Sequence, residues 1–297
     1  MTAKLEDYNH LIQELKGELP SIPLIMNELL EVISDSQAAI FAVQNIVKND
    51  KSILAKIFKY ANTIENRQGG TERIISISDA LQRLGFEKVK KLIISNSVFD
   101  FMKIKESGFD LNSLWKHSCG VATASDVLAK RFELKLFDHA YLCGLLHDIG
   151  KTAKLKFSQK QFFRELRHAK RYDCSLIESE RMLAKLEHDK LGYLLVKEWG
   201  ISPIVEQTTR WHHEANKERR VDLEDPNLNK LVDIVFMANQ IIKDLNFGYS
   251  GYTANSGFCE EFLRRRKIDE HELQKCIEVV QSALDEEEEH LAIFSKE

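Results

Sequence analysis

Apolar residues recur at spacings of three and four along nearly the whole chain, and no long apolar strand pattern interrupts them. That period marks helices with one buried face. A polar start places Leu11, Ile12 and Leu15 on one face before Pro20 stops it. Ser21 and Pro23 then open a second helix with Leu24, Ile25, Leu29, Leu30 and Ile33 inward. A third is expected at about 38–47, on Ile40, Val43, Ile46 and Val47, and a fourth on Ile53, Ile57, Phe58 and Ala61. Residues 62–70 read as a polar loop, and Ile74, Ile75 and Ile77 as a short extended linker. Ser78-Asp79 is expected to cap a helix on Ala80, Leu81 and Leu84, closed by Gly85. Phe86 to Phe101 forms another, on Val89, Leu92, Ile93 and Val98.

Near Ser107-Gly108 the pattern changes, and histidines appear within the apolar stripes. Leu114, His117, Val121, Ala124 and Leu128 share one face of a helix over 111–131, so His117 points to the core side. The apolar run 141–146 leads into His147-Asp148 at the end of a buried helix. Gly150 is expected to break that helix, leaving Lys151 at the mouth of the turn. A charged helix at 159–170 turns Phe162, Phe163 and Leu166 inward, and another follows at 175–186. His188 opens a helix with Leu191, Leu194, Leu195 and Trp199, ended by Gly200 and Pro203. Ile204, Val205, Thr208, Trp211 and His212 share the next face, with His213 alongside. After a charged loop at 214–227, a long helix lines up Leu228, Leu231, Val232, Val235, Asn239 and Ile242. An irregular stretch at 246–257 and a last helix at about 269–289 complete the chain. Arg264-Arg265-Arg266-Lys267 reads as a solvated helix start, and the acidic run 286–289 as a solvated face.

Composition agrees with the helical pattern. Only 13 Gly and 4 Pro in 297 residues favour long helices over a many-stranded sandwich. A net charge of −4 leaves no strong basic field for nucleic acid or an anionic membrane. No apolar run reaches the about 18 residues of a membrane span, and no basic-then-apolar leader opens the chain. Cys119, Cys143, Cys174, Cys259 and Cys276 are far apart with no Cys-x-x-Cys, which reads as reduced thiols in a cytoplasmic protein.

The candidate chemistry lies in the histidines. One imidazole on an apolar face is ordinarily a hydrogen-bonded core residue. Here His117, His147, His188, His212 and His213 arrive from separate helix ends and faces. Each left unpaired in a core would cost about 1–3 kcal/mol, and one cation satisfies several at once. Adjacent His147 and Asp148 are two donor types that can reach the same divalent ion. His212 and His213, about 100° apart around a helix, can serve two metals, or one metal and its bound water. His10, His139, His168, His271 and His290 lie on polar segments and receive no role.

Leu145-Leu146-His147-Asp148-Ile149-Gly150-Lys151 resembles the motif of the HD superfamily of metal-dependent phosphohydrolases. The wider pattern resembles the HDOD proteins, bacterial relatives of the HD-GYP cyclic-di-GMP phosphodiesterases. Leu19-Pro20-Ser21-Ile22-Pro23, Asn49-Asp50 through Ala61-Asn62, and Ile77 through Gly85 are similar to its N-terminal landmarks. Leu114-Trp115-Lys116-His117-Ser118, Glu187 through Gly192, Trp199 through Pro203 and Trp211-His212-His213 are similar to its second half. The resemblance covers about residues 15–245. It implies an all-α fold, with an N-terminal helical bundle (1–108) packed on an HD-type helical domain (109–246) and a C-terminal loop and helix (247–297). It also implies a place at the output end of bacterial signalling, with input from a separate chain, since no receiver, kinase or membrane sensor is recognisable here.

Two departures bear on activity. After His212-His213 the chain runs into Glu214-Ala215-Asn216-Lys217, with no Gly-Tyr-Pro loop. Asn239 stands where the enzymes carry a metal-binding Asp, and Ser113 where those with an extra metal carry Glu. A neutral carbonyl is a poorer donor to a hard cation than a carboxylate. The leading expectation is therefore a regulatory module that binds signalling proteins or a nucleotide second messenger. Its cluster of His117, His147, Asp148, His188, His212, His213 and Asn239 would hold a divalent ion such as iron, manganese, nickel or zinc. The competing expectation is a metal-dependent phosphohydrolase, with Lys151 stabilising phosphate charge. A third has the histidines packed and hydrogen-bonded without metal. Membrane association and nucleic-acid binding are disfavoured.

Overall fold

A computed structural model describes residues 41, 43–46, 51–63, 73–104, 108–183, 187–252, 258 and 260–294. The helices expected around Leu11 and Leu24, and most of the loop at 62–70, fall outside the described residues. Every described element is helical. Among the described residues, the larger of two compact units holds Met102–Glu287 and the smaller holds those up to Phe101 together with those from Glu288.

The smaller unit is built from α1 (Lys51–Ala61), α2 (Ile77–Leu84) and most of α3 (Phe86–Met102). Ile53, Ile57 and Ala61 of α1 are buried, as are Val43 and Ile46 before it, while Phe58 is only partly covered. Lys56 is also buried, and its Nζ donates to Asn96 Oδ1 at 2.8 Å on α3. The α2 helix starts earlier than the Ser78-Asp79 cap predicts. Ser76 is the N-cap, its Oγ accepting from Asp79 N at 3.1 Å, so Ile77 belongs to the helix and not to the linker. A serine followed three residues later by an acid is a capping-box spacing, and it outcompetes the next serine. Gly85 closes α2 at φ +80°, a left-handed conformation that suits glycine.

The larger unit carries α4 (Leu111–Arg131), α5 (Phe137–Leu146), α6 (Ile149–Phe157), α7 (Gln159–Tyr172), α8 (Leu176–Leu183), α9 (His188–Glu198), α10 (Pro203–Trp211), α11 (Pro226–Asp244), α12 (Glu260–Arg266) and most of α13 (Glu270–Phe294). Helices α4 and α5 pack along each other, α11 lies against both, and α10 contacts α5, α9 and α11. Asp110 starts α4, its side chain accepting from Ser113 N. The whole stripe Leu114, His117, Val121, Ala124 and Leu128 is buried, as its spacing requires.

Two expectations change here. Gly150 does not break a helix. The break falls at His147-Asp148, and α6 begins at Ile149 with Gly150 and Lys151 in its first turn. Glycine serves a close crossing instead: a Cβ at residue 150 would stand 1.9 Å from His188 O and 2.7 Å from Gly192 N on α9. Gly150→Ala must push α6 away from α9, because backbone atoms cannot rotate aside. The expected cost is about 1–3 kcal/mol or more, read as a lower urea midpoint; an unchanged midpoint would refute the crossing.

The basic patch Arg264-Arg265-Arg266-Lys267 closes α12 rather than opening a helix; Arg264 and Lys267 are exposed as expected, but Arg265 and Arg266 are partly covered. They turn toward Asp233, buried on α11. Arg265 Nη1 reaches Asp233 Oδ2 at 2.5 Å and Arg220 Nη2 reaches Oδ1 at 2.7 Å. Arg220 and Arg265 also donate to Glu214 O and Ala215 O. That pins the segment directly after His213. No described helix is long and apolar enough to cross a membrane.

Candidate metal centre

Five histidines and one aspartate meet in the larger unit. His117 comes from the second turn of α4, His147 and Asp148 from the α5–α6 turn, His188 from the start of α9, and His212 and His213 from the end of α10. His147, His188 and His212 are fully buried, His117 and Asp148 nearly so, and His213 partly.

Hydrogen bonds fix three ring tautomers. His147 Nδ1 lies 2.6 Å from Gly144 O and His212 Nδ1 lies 2.7 Å from Thr209 O. Carbonyl oxygens only accept, so both Nδ1 atoms carry the proton. His188 Nδ1 lies 2.6 Å from Glu180 Oε2 and donates to that carboxylate. Each Nε2 therefore offers a lone pair inward, the arrangement in which an outer partner orients a metal-ligating imidazole.

Those lone pairs converge on Asp148. His188 Nε2 and His212 Nε2 lie 3.2 and 3.4 Å from Asp148 Oδ1. His147 Nε2 and His117 Nε2 lie 3.2 and 3.8 Å from Oδ2. His213 Nε2 lies 2.9 Å from His188 Nε2. Neighbouring donors, each about 2.1 Å from one cation, stand about 3.0–3.4 Å apart, which matches most of these separations. Donor atoms of Asp148, His188, His212 and His213 all fall within 4.8 Å of one another, and so do those of His117, His147 and Asp148. The two groups share only Asp148, one oxygen toward each.

The residues fit a cation on a further count. His117 Nε2, His147 Nε2, His212 Nε2 and Asp148 Oδ1 are buried without a hydrogen-bond partner. Orphaned buried polar atoms are costly, and three imidazole nitrogens around a carboxylate that has such an oxygen of its own are a donor set that fits a divalent cation. Asn239 Oδ1 is orphaned too, on α11, which packs against α4 and α5. Lys151 Nζ donates to Asp148 Oδ2 at 2.6 Å, so a buried ammonium sits at the edge of the cluster.

Burial favours the neutral form of His117, His212 and His213, and Asp148 is held ionised. Burial pushes the Asp148 carboxyl up, but His147 and Lys151 outweigh it and hold it well below the usual range. Burial, then His147, holds His117 well below its ordinary value; burial, then His212 and His188, does the same to His213. Burial brings His212 down to about 3. His188 differs: burial lowers it, but Glu180 and Asp148 raise it on balance. Burial, with Lys151 nearby, brings Lys243 down to about 8.

This gives the metal-free protein a defined acid sensitivity. With a folded value below the ordinary 6.5, His212 stabilises the fold fully above that pH, and the contribution falls away as pH drops toward about 3. The unfolded chain gains a proton that the folded one refuses, at about 1.4 kcal/mol per pH unit. Urea unfolding in chelator should lose at least that slope between pH 6 and pH 4, and His212→Gln should remove this share. A slope that His212→Gln leaves unchanged would contradict it.

Behind the cluster lies a buried network that sequence reasoning missed. Lys154 Nζ on α6 contacts Glu165 Oε2 on α7 at 2.5 Å and Glu180 Oε1 on α8 at 2.7 Å. Lys154 is 1% exposed and both carboxylates 0%. Glu165 takes an interior place on α7 beside Phe162, leaving Phe163 and Leu166 only partly covered. The available signal was spacing: Glu165 lies three residues after Phe162, and Glu180 three after Ile177.

The sequence profile of the HDOD domain matches residues 19–215. An uncharacterized protein of Treponema pallidum (strain Nichols) is 21% identical over 274 residues, 91% of this chain. The chain spans only 50% of that relative's length. Among solved structures, an HDOD domain protein of unknown function from Geobacter sulfurreducens superposes with a TM-score of 0.74 at 22% identity, covering 98% of this chain and 99% of its own. A Shewanella amazonensis SB2B protein bearing the name "Putative phosphohydrolase" gives 0.65 at 20% identity, covering 95% and 96%. A Marinobacter aquaeolei VT8 protein named "Putative signal transduction protein" gives 0.75 at 19%, covering 94% and 60%. At these identities the likeness concerns the fold.

Proposed function

The chain belongs to the HDOD family, and from that premise we propose that it is a metal-binding signalling module. The observation that carries this is the convergence of inward-facing imidazole nitrogens on Asp148, three of them with tautomers fixed by outer hydrogen bonds. Nothing in an apolar core requires that arrangement, and a divalent cation does. Iron, manganese, nickel or zinc suits the mixed imidazole and carboxylate donors. Partners are signalling proteins or a nucleotide second messenger. The name of the Marinobacter relative, "Putative signal transduction protein", supports the signalling part of this reading.

A second reading, hydrolysis of a phosphate ester, is favoured by one feature. Asp148 presents an oxygen to each of two donor groups, as a carboxylate shared by two cations would. A bound cation would supply Lewis acidity toward a phosphoryl oxygen and an acidified water. The chain's own part would be to hold Asp148 ionised and to place the Lys151 ammonium where phosphate charge gathers. Against full activity stand the neutral Asn239 and the absence of a Gly-Tyr-Pro loop after His213.

The test is equilibrium dialysis of chelator-stripped protein against manganese, iron and zinc, followed by turnover assays on cyclic dinucleotides and nucleoside phosphates. The proposal expects a bound cation and no metal-dependent turnover above the His147→Ala background. Turnover that His147→Ala abolishes replaces it with the second reading. A well-folded chain that takes up no cation overturns both.

A further inference from the structure

The two halves of the centre are not backed alike. His147 and His212 each donate Nδ1–H to a neutral backbone carbonyl, of Gly144 and Thr209. His188 donates to a carboxylate, Glu180 Oε2, which also accepts from the His188 backbone N at 3.0 Å. Two bonds to one oxygen fix both the ring and the start of α9. An anionic acceptor draws the Nδ1 proton away and makes the opposite nitrogen a stronger donor to a cation.

Charge around that contact is uneven in the same sense. Lys154 is shared between Glu165 and Glu180, so one ammonium faces two buried carboxylates. A net negative charge is left behind His188, away from water, where Coulomb interactions act strongly. At the other half the sign reverses. Asp148 Oδ2, which faces His117 and His147, is already engaged by Lys151 Nζ at 2.6 Å. Asp148 Oδ1, which faces His188 and His212, has no hydrogen-bond partner.

We propose that the centre is graded: the first divalent cation is held by Asp148 Oδ1, His188, His212 and His213, and Glu180 is the positioning residue that makes this half the tighter one. The His117–His147 half, with Lys151 across its shared oxygen, takes a second cation more weakly. This rests on the metal-binding reading above. Glu180 touches no cation; it acts by orienting and polarising His188.

The experiment titrates chelator-stripped full-length protein with cobalt(II) against a competing chelator, and follows cobalt absorption bands. Glu180→Gln keeps the shape and removes the charge. It is expected to weaken the first equivalent about 10–100-fold and to shift the bands. Glu165→Gln removes the other carboxylate of the same network, which does not touch His188; it should weaken the first equivalent less than Glu180→Gln does and leave the bands unchanged. Equal losses in both variants, or none in Glu180→Gln, overturn the proposal. Ring nitrogen NMR of the unsubstituted protein during zinc addition needs no variant to fold. His188, His212 and His213 should respond to the first equivalent and His117 and His147 to the second. The reverse order overturns the grading while leaving the metal-binding reading intact. No uptake at all overturns both.

Discussion

Asp148→Asn is expected to strip the protein of its cation. The asparagine has the same shape, but it replaces the one anionic donor shared by both groups of histidines with a neutral carbonyl. Losing an outer hydrogen-bond partner costs about 10–100-fold in affinity, so losing this donor should exceed 100-fold, about the top of that range. A second effect runs through Lys151, 3% exposed, whose Nζ lies 2.6 Å from Asp148 Oδ2. Its buried ammonium would keep a dipole and lose a charge, a change of the kind that costs about 3–5 kcal/mol. The variant should therefore lose metal and also unfold at lower urea in chelator, where metal cannot contribute. Loss of metal without loss of metal-free stability would show that Lys151 is held by something other than Asp148.

Lys154→Met should destabilise the fold most among changes that touch no candidate donor. It leaves Glu165 and Glu180, both fully buried, facing each other without a cation. Breaking a buried ion pair by removing one partner costs about 3–5 kcal/mol. Intact, Glu180 sits at about 2, because His188 and Lys154 together outweigh burial. Glu165 lies above its ordinary value, burial outweighing Lys154. Without Lys154 the Glu165 carboxyl, already above its unfolded value, rises further, while His188 still opposes a rise at Glu180. Stability tied to a raised carboxyl is present at low pH and lost as pH rises. The deficit should thus be large at pH 7.5 and smaller at pH 5, measured by urea unfolding at each. A deficit independent of pH would mean that lost packing, not stranded charge, is responsible.

What could be read from the sequence follows from period and residue type. His117 was legible because its spacing from Leu114 and Val121 puts it on a stripe that had to be inward. His188 and His212 were legible for the same reason, at the ends of strongly patterned helices. Gly150 was misread because glycine after a buried helix ordinarily terminates it. Its role depends on α9, more than thirty residues away, which no local pattern reveals. Glu165 and Glu180 were missed because acids in charged helices are ordinarily solvated. Only the partner, Lys154 on a third helix, makes their burial affordable. Arg265 was misread likewise, since its partner Asp233 sits 32 residues back on α11. Helical stripes are local and periodic; crossings and buried charge pairs are neither.

X-ray absorption at the zinc edge, on protein loaded with one equivalent of zinc, tests the central claim most directly. The account predicts nearest scatterers dominated by imidazole nitrogens together with carboxylate oxygen, a pattern lost in Asp148→Asn. Zinc surrounded by solvent oxygens without imidazole scattering, or no zinc retained by a folded chain, would contradict it.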